Sequence, residues 1–441
     1  MAIGAPPRLS VVIPAYNNGD TLDLVLEALG RQTVPADRFE VVVGDDGSSP
    51  PLAPVVDKHA ERINVSCVRL ETNRGRSANR NAAARAAGAA ERLLVLDADN
   101  VPSPGVVARH LEFHAARAGR PGVLCGQRVE LDWAGKDALR HGRPITPAMV
   151  DQYRADVRYP YHLLPQFEAD FRRAPWLLAH GHHVSIDRAT FEAVGGFDET
   201  MTRWGYDDTE FFYRVFHHHG QSPDVFEMDA EAVAYHMSDY RRTPTMLAAM
   251  DNIHYFVRKH PTYDVEAIHS LNTFGYIMGQ IRLREDAVRV LRGGGLGDPA
   301  RLPAPVLDEL SRHSALVIGR GLGALALGEG SRTFDHAAPL TETNWHLFGS
   351  VLRPLGNVRF DVLVNLDLWR FLPPEELWVL VTQGRKKADR LMLVASHDAP
   401  DPVDLLPVPF LGDIQAAAAG LRGAFPVAVA EYGDASILTI N

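Results

Sequence analysis

Along the first hundred residues, short apolar runs alternate with stretches in which apolar side chains recur every three or four positions. Leu9 to Ala15 is a continuous apolar run rich in β-branched residues, the pattern of a strand buried on both faces of a parallel sheet. After it, Leu22, Val25, Leu26 and Leu29 fall on one helical face, with Asp20 placed to cap the helix and Gly30 to end it. The pattern then repeats. Phe39 to Val43 predicts a second strand that stops at the turn-forming cluster Gly44, Asp45, Asp46, Gly47, Ser48. A third strand over Val65 to Leu70 leads through Asn73, Arg74 and Gly75 into an Ala-rich helix near Ser77 to Ala90. A fourth, Arg92 to Leu96, ends in Asp97, Ala98, Asp99 and Asn100. Such alternation predicts an α/β fold, and three of the four runs deliver polar residues at their carboxyl ends, where open sheets of this class bind ligands.

From Cys125 to about Pro175 the pattern weakens into charged residues, tyrosines and prolines, which predicts surface excursions over the sheet. Order resumes at Leu177 to Ile186. A buried helix face follows in Phe211, Phe212, Val215 and Phe216, within Trp204 to Gly220. Residues from Thr245 to about Arg292 are helical by period with a break at Pro261, and Gly293 to Gly295 followed by Pro299, Pro303 and Pro305 marks a linker. New strand patterns then open at Ala315 to Ile318, Phe360 to Asn365 and Leu391 to Ala395. The expected division is 1–245, a helical extension and linker over 246–300, and a smaller α/β domain over 301–441.

Composition narrows the classes. At 441 residues, with 46% hydrophobic and 23% charged residues, the chain can build more than one core. Lys plus Arg number 45 against 55 Asp plus Glu, a net charge of −10 that argues against a general nucleic-acid binder. Two cysteines, Cys67 and Cys125, make no disulfide framework and no zinc spacing. With no apolar run long enough for a membrane span, the expectation is a cytoplasmic protein.

The densest chemistry is Asp97-Ala98-Asp99 at a strand end. Two carboxylates one residue apart in a turn can face a hard divalent cation that bridges to a diphosphate, although a solvated Asp-rich turn before Pro102 has the same composition. Asp45 and Asp46 also read as turn formers ahead of Gly47, Asp45 more so than Asp46. Asp207 and Glu210 have the spacing of a capping box, a role that leaves Asp208 unexplained.

The order of these elements resembles the family 2 glycosyltransferases of the GT-A fold. It is carried by Val11-Val12-Ile13-Pro14-Ala15-Tyr16-Asn17, Asp45-Asp46-Gly47-Ser48, Asn73-Arg74-Gly75 with Arg80-Asn81, and Asp97-Ala98-Asp99. Further on it includes Val194-Gly195-Gly196-Phe197-Asp198-Glu199 and Trp204-Gly205-Tyr206-Asp207-Asp208-Thr209-Glu210. It covers about residues 8 to 240. The resemblance implies a nucleotide-sugar donor, with UDP favoured, bordered by Pro14 and Tyr16. Asp46 would accept from the base, Asp97 would approach the ribose, and Arg80 would lie near the same pocket unless it is an exposed residue of its Ala-rich helix. It implies a metal, Mn²⁺ or Mg²⁺, on Asp99 with His236 as a further ligand, an imidazole favouring Mn²⁺. Asp208 would be the general base of an inverting transfer, with Trp204, Asp207 and His183 on the acceptor side; for His183, packing is the alternative. The Gln-x-x-Arg-Trp motif of processive synthases is missing, so one hexosyl transfer to a soluble small-molecule, glycan or peptide acceptor is expected.

In the last domain, Val317-Ile318-Gly319-Arg320-Gly321-Leu322-Gly323 and Phe360 to Asn365 resemble a truncated class I methyltransferase-like, Rossmann-like fold. The interval from Gly319 to Asp361 is short for the usual adenosine-binding segments, and Asp335 is the one acidic candidate at a second strand end. The expected role is packing, homo-oligomer formation or acceptor recruitment. A bifunctional transferase and methyltransferase, or a non-catalytic nucleotide-sugar scaffold, are the alternatives; retention of Asp99 with Asp208 argues against the scaffold.

Overall fold

The computed structural model describes residues 9–88, 90–152, 156, 158, 164–237, 244–270, 274–292, 296–397 and 413–441. The chain divides into two compact units, Met1–Asn252 and Ile253–Asn441, so most of the helical segment between the two sheets belongs to the second.

The first unit is built on an eight-stranded sheet: β1 (Leu9–Ala15), β2 (Phe39–Asp45), β3 (Val65–Arg69), β4 (Arg92–Leu96), β5 (Asn100–Pro102), β6 (Val123–Glu130), β7 (His183–Asp187) and β8 (Phe226–His236), in the order 3-2-1-4-7-6-8-5. β1 to β4 run parallel, and β7 enters antiparallel beside β4. This is the expected mixed α/β sheet of a GT-A domain. The Leu9, Val11, Ile13 and Ala15 face of β1 is buried because α1 (Gly19–Leu29) lays Leu22, Val25, Leu26 and Leu29 against it. Each such aliphatic side chain contributes about 1.5–3 kcal/mol on burial. Asn18, not Asp20, stands at the N-cap position of α1, and its side chain makes no capping bond to the helix.

Two expectations are corrected here. The segment after Cys125 is not wholly a surface excursion: β6 is an interior strand between β7 and β8, and the helix Trp133–Arg140 follows it. Its alternating Gly, Gln, Arg and Glu concealed a strand whose polar residues serve the site. The capping box of Asp207 and Glu210 does not form either. In α2 (Asp207–His218) the Glu210 carboxylate grips Arg214 at 2.8 and 2.9 Å, and the residue before the helix, Tyr206, is left-handed with φ 64°.

The second unit holds a six-stranded sheet: β9 (Ala315–Gly319), β10 (Arg332–Asp335), β11 (Phe360–Leu366), β12 (Ala388–Ser396), β13 (Val427–Glu431) and β14 (Ala435–Ile440), ordered 10-9-11-12-14-13. β10, β9, β11 and β12 are parallel and β14 pairs antiparallel with both β12 and β13, with a core of Leu310, Val317, Val362, Val364 and Val394.

Candidate active site

At the carboxyl end of β2 two adjacent aspartates do different work. Asp45 is fully buried and accepts from the amides of Ser48 (2.8 Å) and Leu52 (3.1 Å) and from Arg69, closing the turn. Asp46 takes the amides of Arg74 (2.7 Å) and Gly75 (3.0 Å), so it ties the second strand end to the Asn73-Arg74-Gly75 loop. Burial pushes its carboxyl up despite those two bonds. Pro14 and Tyr16 end β1 beside it, since the Asp46 amide donates to the Ala15 carbonyl (3.0 Å), and Tyr16 is 49% exposed. Gly47, at φ 74°, has no room for a side chain: a Cβ would fall 2.8 Å from the Thr72 backbone.

The Ala-rich helix spans Arg76–Ala86 and buries Ser77, Asn79, Arg80 and Asn81, polar residues that an exposed helix would leave in water. Each is hydrogen-bonded to a strand end or loop. Asn79 donates to the carbonyls of Gly44 (2.9 Å) and Ala15 (3.3 Å), and Asn81 spans Phe197 from its amide (2.9 Å) to its carbonyl (2.8 Å). Arg80 is 2% exposed and joins two carboxylates, Asp207 at 2.8 Å through Nη1 and Asp97 at 3.2 Å through Nη2, with its guanidinium 5.0 Å from the Phe197 ring centre. The exposed alternative for Arg80 is therefore overturned: it connects the Asp97 strand end to the start of α2.

Asp207 is consequently a buried partner of Arg80. Asp208, the next residue, is only half-buried. Its Oδ2 accepts from the Gly181 amide and its Oδ1 from the Thr209 amide, both at 2.9 Å. Burial favours the neutral acid, but His180, the Arg80 guanidinium and the two amides outweigh it and hold the carboxyl below the usual aspartate range. A Cβ at Gly181 would lie 3.1 Å from the Arg80 guanidinium carbon, so the glycine lets the turn approach Arg80 closely. Trp204 is 42% exposed on the loop before α2, and Asn252 fixes that loop by donating to the carbonyls of Arg203 (2.9 Å) and Gly205 (2.7 Å).

Strand register gathers the second cluster. β5 pairs Asn100 with His236, and β6 pairs Glu130 with His236, so Asp99, His236 and Glu130 meet at one sheet edge. His236 Nδ1 is 2.7 Å from Glu130 Oε1 and its Nε2 is 3.5 Å from Asp99 Oδ2. Glu130 was not foreseen, since its strand was not. Among the described residues no set of three His, Cys, Asp or Glu side chains stands ready-made around a cation. His183 takes the packing alternative: it is fully buried in β7 with Nε2 3.0 Å from His110 Nε2, against Gly126, so it is a core residue.

Residues 10–184 match the glycosyl transferase family 2, and residues 173–240 match the family described as the N-terminal domain of galactosyltransferase. Validoxylamine A glucosyltransferase from Streptomyces hygroscopicus subsp. jinggangensis (strain 5008) is 33% identical over 411 residues, covering 84% of this chain and 93% of that protein. The chain belongs to glycosyl transferase family 2. It is a glycosyltransferase. A second validoxylamine A glucosyltransferase, from Streptomyces hygroscopicus subsp. limoneus, is 30% identical over 408 residues, 84% of this chain and 86% of that one. Among solved structures, residues 1–349 of S. aureus TarS in complex with UDP-GlcNAc align over 64% of this family 2 chain and 73% of that chain, with a TM-score of 0.42 and 18% identity. Because 84% of the chain exceeds the share held by Met1–Asn252, the likeness to the two glucosyltransferases continues into the second unit.

In that second unit the glycine loop after β9 is closed by its own chain. Asp335, at the end of β10, accepts at 2.8 Å from each of the amides of Gly321, Leu322 and Ala337. Asp367, after β11, accepts from the Gly297 amide (3.0 Å) and from the amide and hydroxyl of Ser396 (both 2.8 Å). Leu322 is buried against Gly319, where a Cβ would lie 3.0 Å from its Cδ2. No helix among the described residues is long and apolar enough to cross a membrane.

Proposed function

We propose that this family 2 enzyme transfers one glucose from UDP-glucose to a hydroxyl of a small soluble acceptor with inversion, and that Asp208 is the general base. The observation that carries the reading is the Arg80 bridge, because it holds Asp97 on the donor side and the Asp207-Asp208 pair in one cluster. Pro14, Tyr16 and Asp46 border the nucleobase, and Asp97 lies toward the ribose. Asp208 takes the acceptor hydroxyl proton as that oxygen attacks the anomeric carbon, and the bond from that carbon to the diphosphate oxygen breaks on the opposite face. Two amide donors fix the orientation of the base and keep it ionised at neutral pH. Trp204 offers an exposed aromatic face to the acceptor.

Asp99 and His236 suit a divalent cation: Glu130 holds Nδ1 of the imidazole, as carboxylates commonly do for metal-bound histidines, which leaves Nε2 beside the Asp99 carboxylate. When bound there, Mn²⁺ or Mg²⁺ would neutralise charge on the nucleoside diphosphate. A small acceptor is supported by the two relatives, whose names give validoxylamine A as the compound glucosylated and whose likeness includes the second unit. That unit we read as an accessory domain serving packing, self-association or acceptor recruitment.

The test is incubation of the enzyme with UDP-glucose, Mn²⁺ and validoxylamine A, with the product's anomeric configuration read by NMR. A β-linked glucoside from the α-linked donor is expected. An α-linked product would exclude inversion, and no product with other UDP-sugars giving turnover would exclude glucose.

A further inference from the structure

The chain turns through Ala179-His180-Gly181-His182 immediately before β7, and its backbone is tied on both sides. The His182 carbonyl accepts from the Asp97 amide and from Asn100 Nδ2, each at 2.9 Å, while the Gly181 amide holds Asp208. The turn therefore stands between the donor-side carboxylate and the proposed base. Within it, His182 is 7% exposed, and neither of its ring nitrogens has a hydrogen-bond partner among the described residues. Two unpaired nitrogens on one buried ring lower stability, and both remain available to a ligand.

The direction of the ring follows from the strand. His183 pairs with Leu96 and sends its side chain to His110 in the core, and successive strand residues point to opposite faces. His182 then shares the face of Asp97, the residue opposite it. Its ring lies 5.8 Å from that of His180, edge to face, and His180 acts electrostatically on Asp208. A neutral imidazole offers one N–H donor and one lone pair. A phosphate could use only the donor, whereas sugar and cyclitol hydroxyls use both.

We propose that His182 is a positioning residue of the acceptor site, one ring nitrogen donating to and the other accepting from hydroxyl groups of the bound acceptor so that the reacting oxygen lies beside Asp208. The proposal rests on the reading that the acceptor binds beside Asp208. It makes His182 a determinant of acceptor specificity, because an acceptor lacking either hydroxyl leaves a buried nitrogen unpaired.

His182→Leu keeps a comparable volume and removes both polar atoms. With UDP-glucose, Mn²⁺ and, as acceptor, validoxylamine A or whichever of a panel of free hexoses and cyclitols most stimulates UDP release, the acceptor KM should rise roughly 10-fold or more. The Kd for UDP should not change, the Tm should stay level or rise, and His182→Asn should recover part of the loss. An acceptor KM within twofold of the parent overturns the proposal, as does a Tm that falls with loss of UDP binding. A rise in the KM for UDP-glucose alone moves His182 to the donor site and also overturns it. If no compound stimulates UDP release from the parent enzyme, the acceptor reading falls and this proposal with it. Full activity in Asp208→Asn would remove only the base assignment, since the His182→Leu acceptor KM is measured independently.

Discussion

Both units end parallel strands in acidic residues beside glycine-bearing turns, yet the two sheet edges are put to different use. In the second unit, Asp335 and Asp367 are 2% and 0% exposed, and their oxygens are taken by amides and a hydroxyl of their own chain. In the first unit Asp45 is spent in the same way, but the side chains of Asp97 and Asp99 keep 19% and 15% exposure. A carboxylate at a strand end binds a ligand only if the fold leaves it lone pairs, and the chain itself is the first competitor for them. The lesson is that the acidic residue and the glycine turn together do not make a site. What distinguishes the first edge is that Arg80, Gly181 and the start of α2 gather several carboxylates around one point that solvent still reaches.

The largest test of that difference is Asp208→Asn, which keeps the shape of the side chain and removes its basicity. Turnover should fall by roughly 10² or more with the UDP Kd nearly unchanged, measured by steady-state kinetics and titration calorimetry. Next is Asp99→Asn. At limiting Mn²⁺ it should weaken UDP binding by roughly 10-fold, the scale of losing an interaction worth about 1.4 kcal/mol, and excess Mn²⁺ should restore part of it. Unchanged affinity at limiting metal would take the cation away from this edge.

The strands and first helix were legible because burial on two faces leaves continuous apolar runs such as Leu9 to Ala15, and one-sided burial leaves a 3.6-residue period. The strand-end aspartates were legible because polar residues stop those runs. Arg80 was only half legible. An Ala-rich helix looks exposed by period, and its burial depends on Asn79, Arg80 and Asn81 finding partners 17 to 127 residues away in the chain. Glu130 and the turn at Gly181 and His182 were missed for a related reason: β6 carries polar residues that answer to neighbouring strands, so its apolar pattern breaks where its function lies. A motif gives order along the chain but not the face a side chain takes, so it left packing open for His183 and said nothing of Arg80 as the partner of Asp207. Alternation along β7 sends His183 inward, and a buried guanidinium claims Asp207.

Removing the internal use of a carboxylate should cost folding in the second unit without touching donor chemistry. Asp335→Asn leaves three amides to share one neutral oxygen, a loss of about 3 kcal/mol that urea denaturation would show, while the KM for UDP-glucose stays the same. A shift in that KM would mean the second edge takes part in donor binding. Acid should separate the units in a graded way. Burial drives His110 and His182 well below the ordinary histidine value, His114 to about 3, and His180 and His183 to about 4, all in the first unit; in the second, His269 and His336 also fall to about 4. A histidine depressed in the folded state contributes stability that is complete above its unfolded value near 6.5 and is lost as pH falls toward the folded value. Between pH 7 and pH 5 hydrogen-exchange protection should therefore decline further in Met1–Asn252 than in Ile253–Asn441, and an equal decline would contradict the count of buried neutral rings.

The smallest expected effect is none at all, and it decides whether the second edge is closed. A nucleoside cofactor in a sheet of this kind would need the acidic residue at the end of β10 for its ribose and the amides of the glycine loop for its polar tail. Here Asp335 already accepts from the loop amides of Gly321 and Leu322, so donor and acceptor satisfy each other and neither is left for a ligand. Leu322 fills the space above Gly319, and the Gly297 carbonyl accepts from the Arg320 amide at 3.0 Å. Opening the loop would break those bonds and expose a buried leucine before any cofactor contact formed, which subtracts from affinity. Titration calorimetry of the full chain with S-adenosylmethionine or its demethylated product should therefore give no heat of binding, while UDP with Mn²⁺ gives a saturable signal in the same preparation. A micromolar Kd for either adenosyl compound would show that the loop opens, and would return the second unit to the class of cofactor-binding domains.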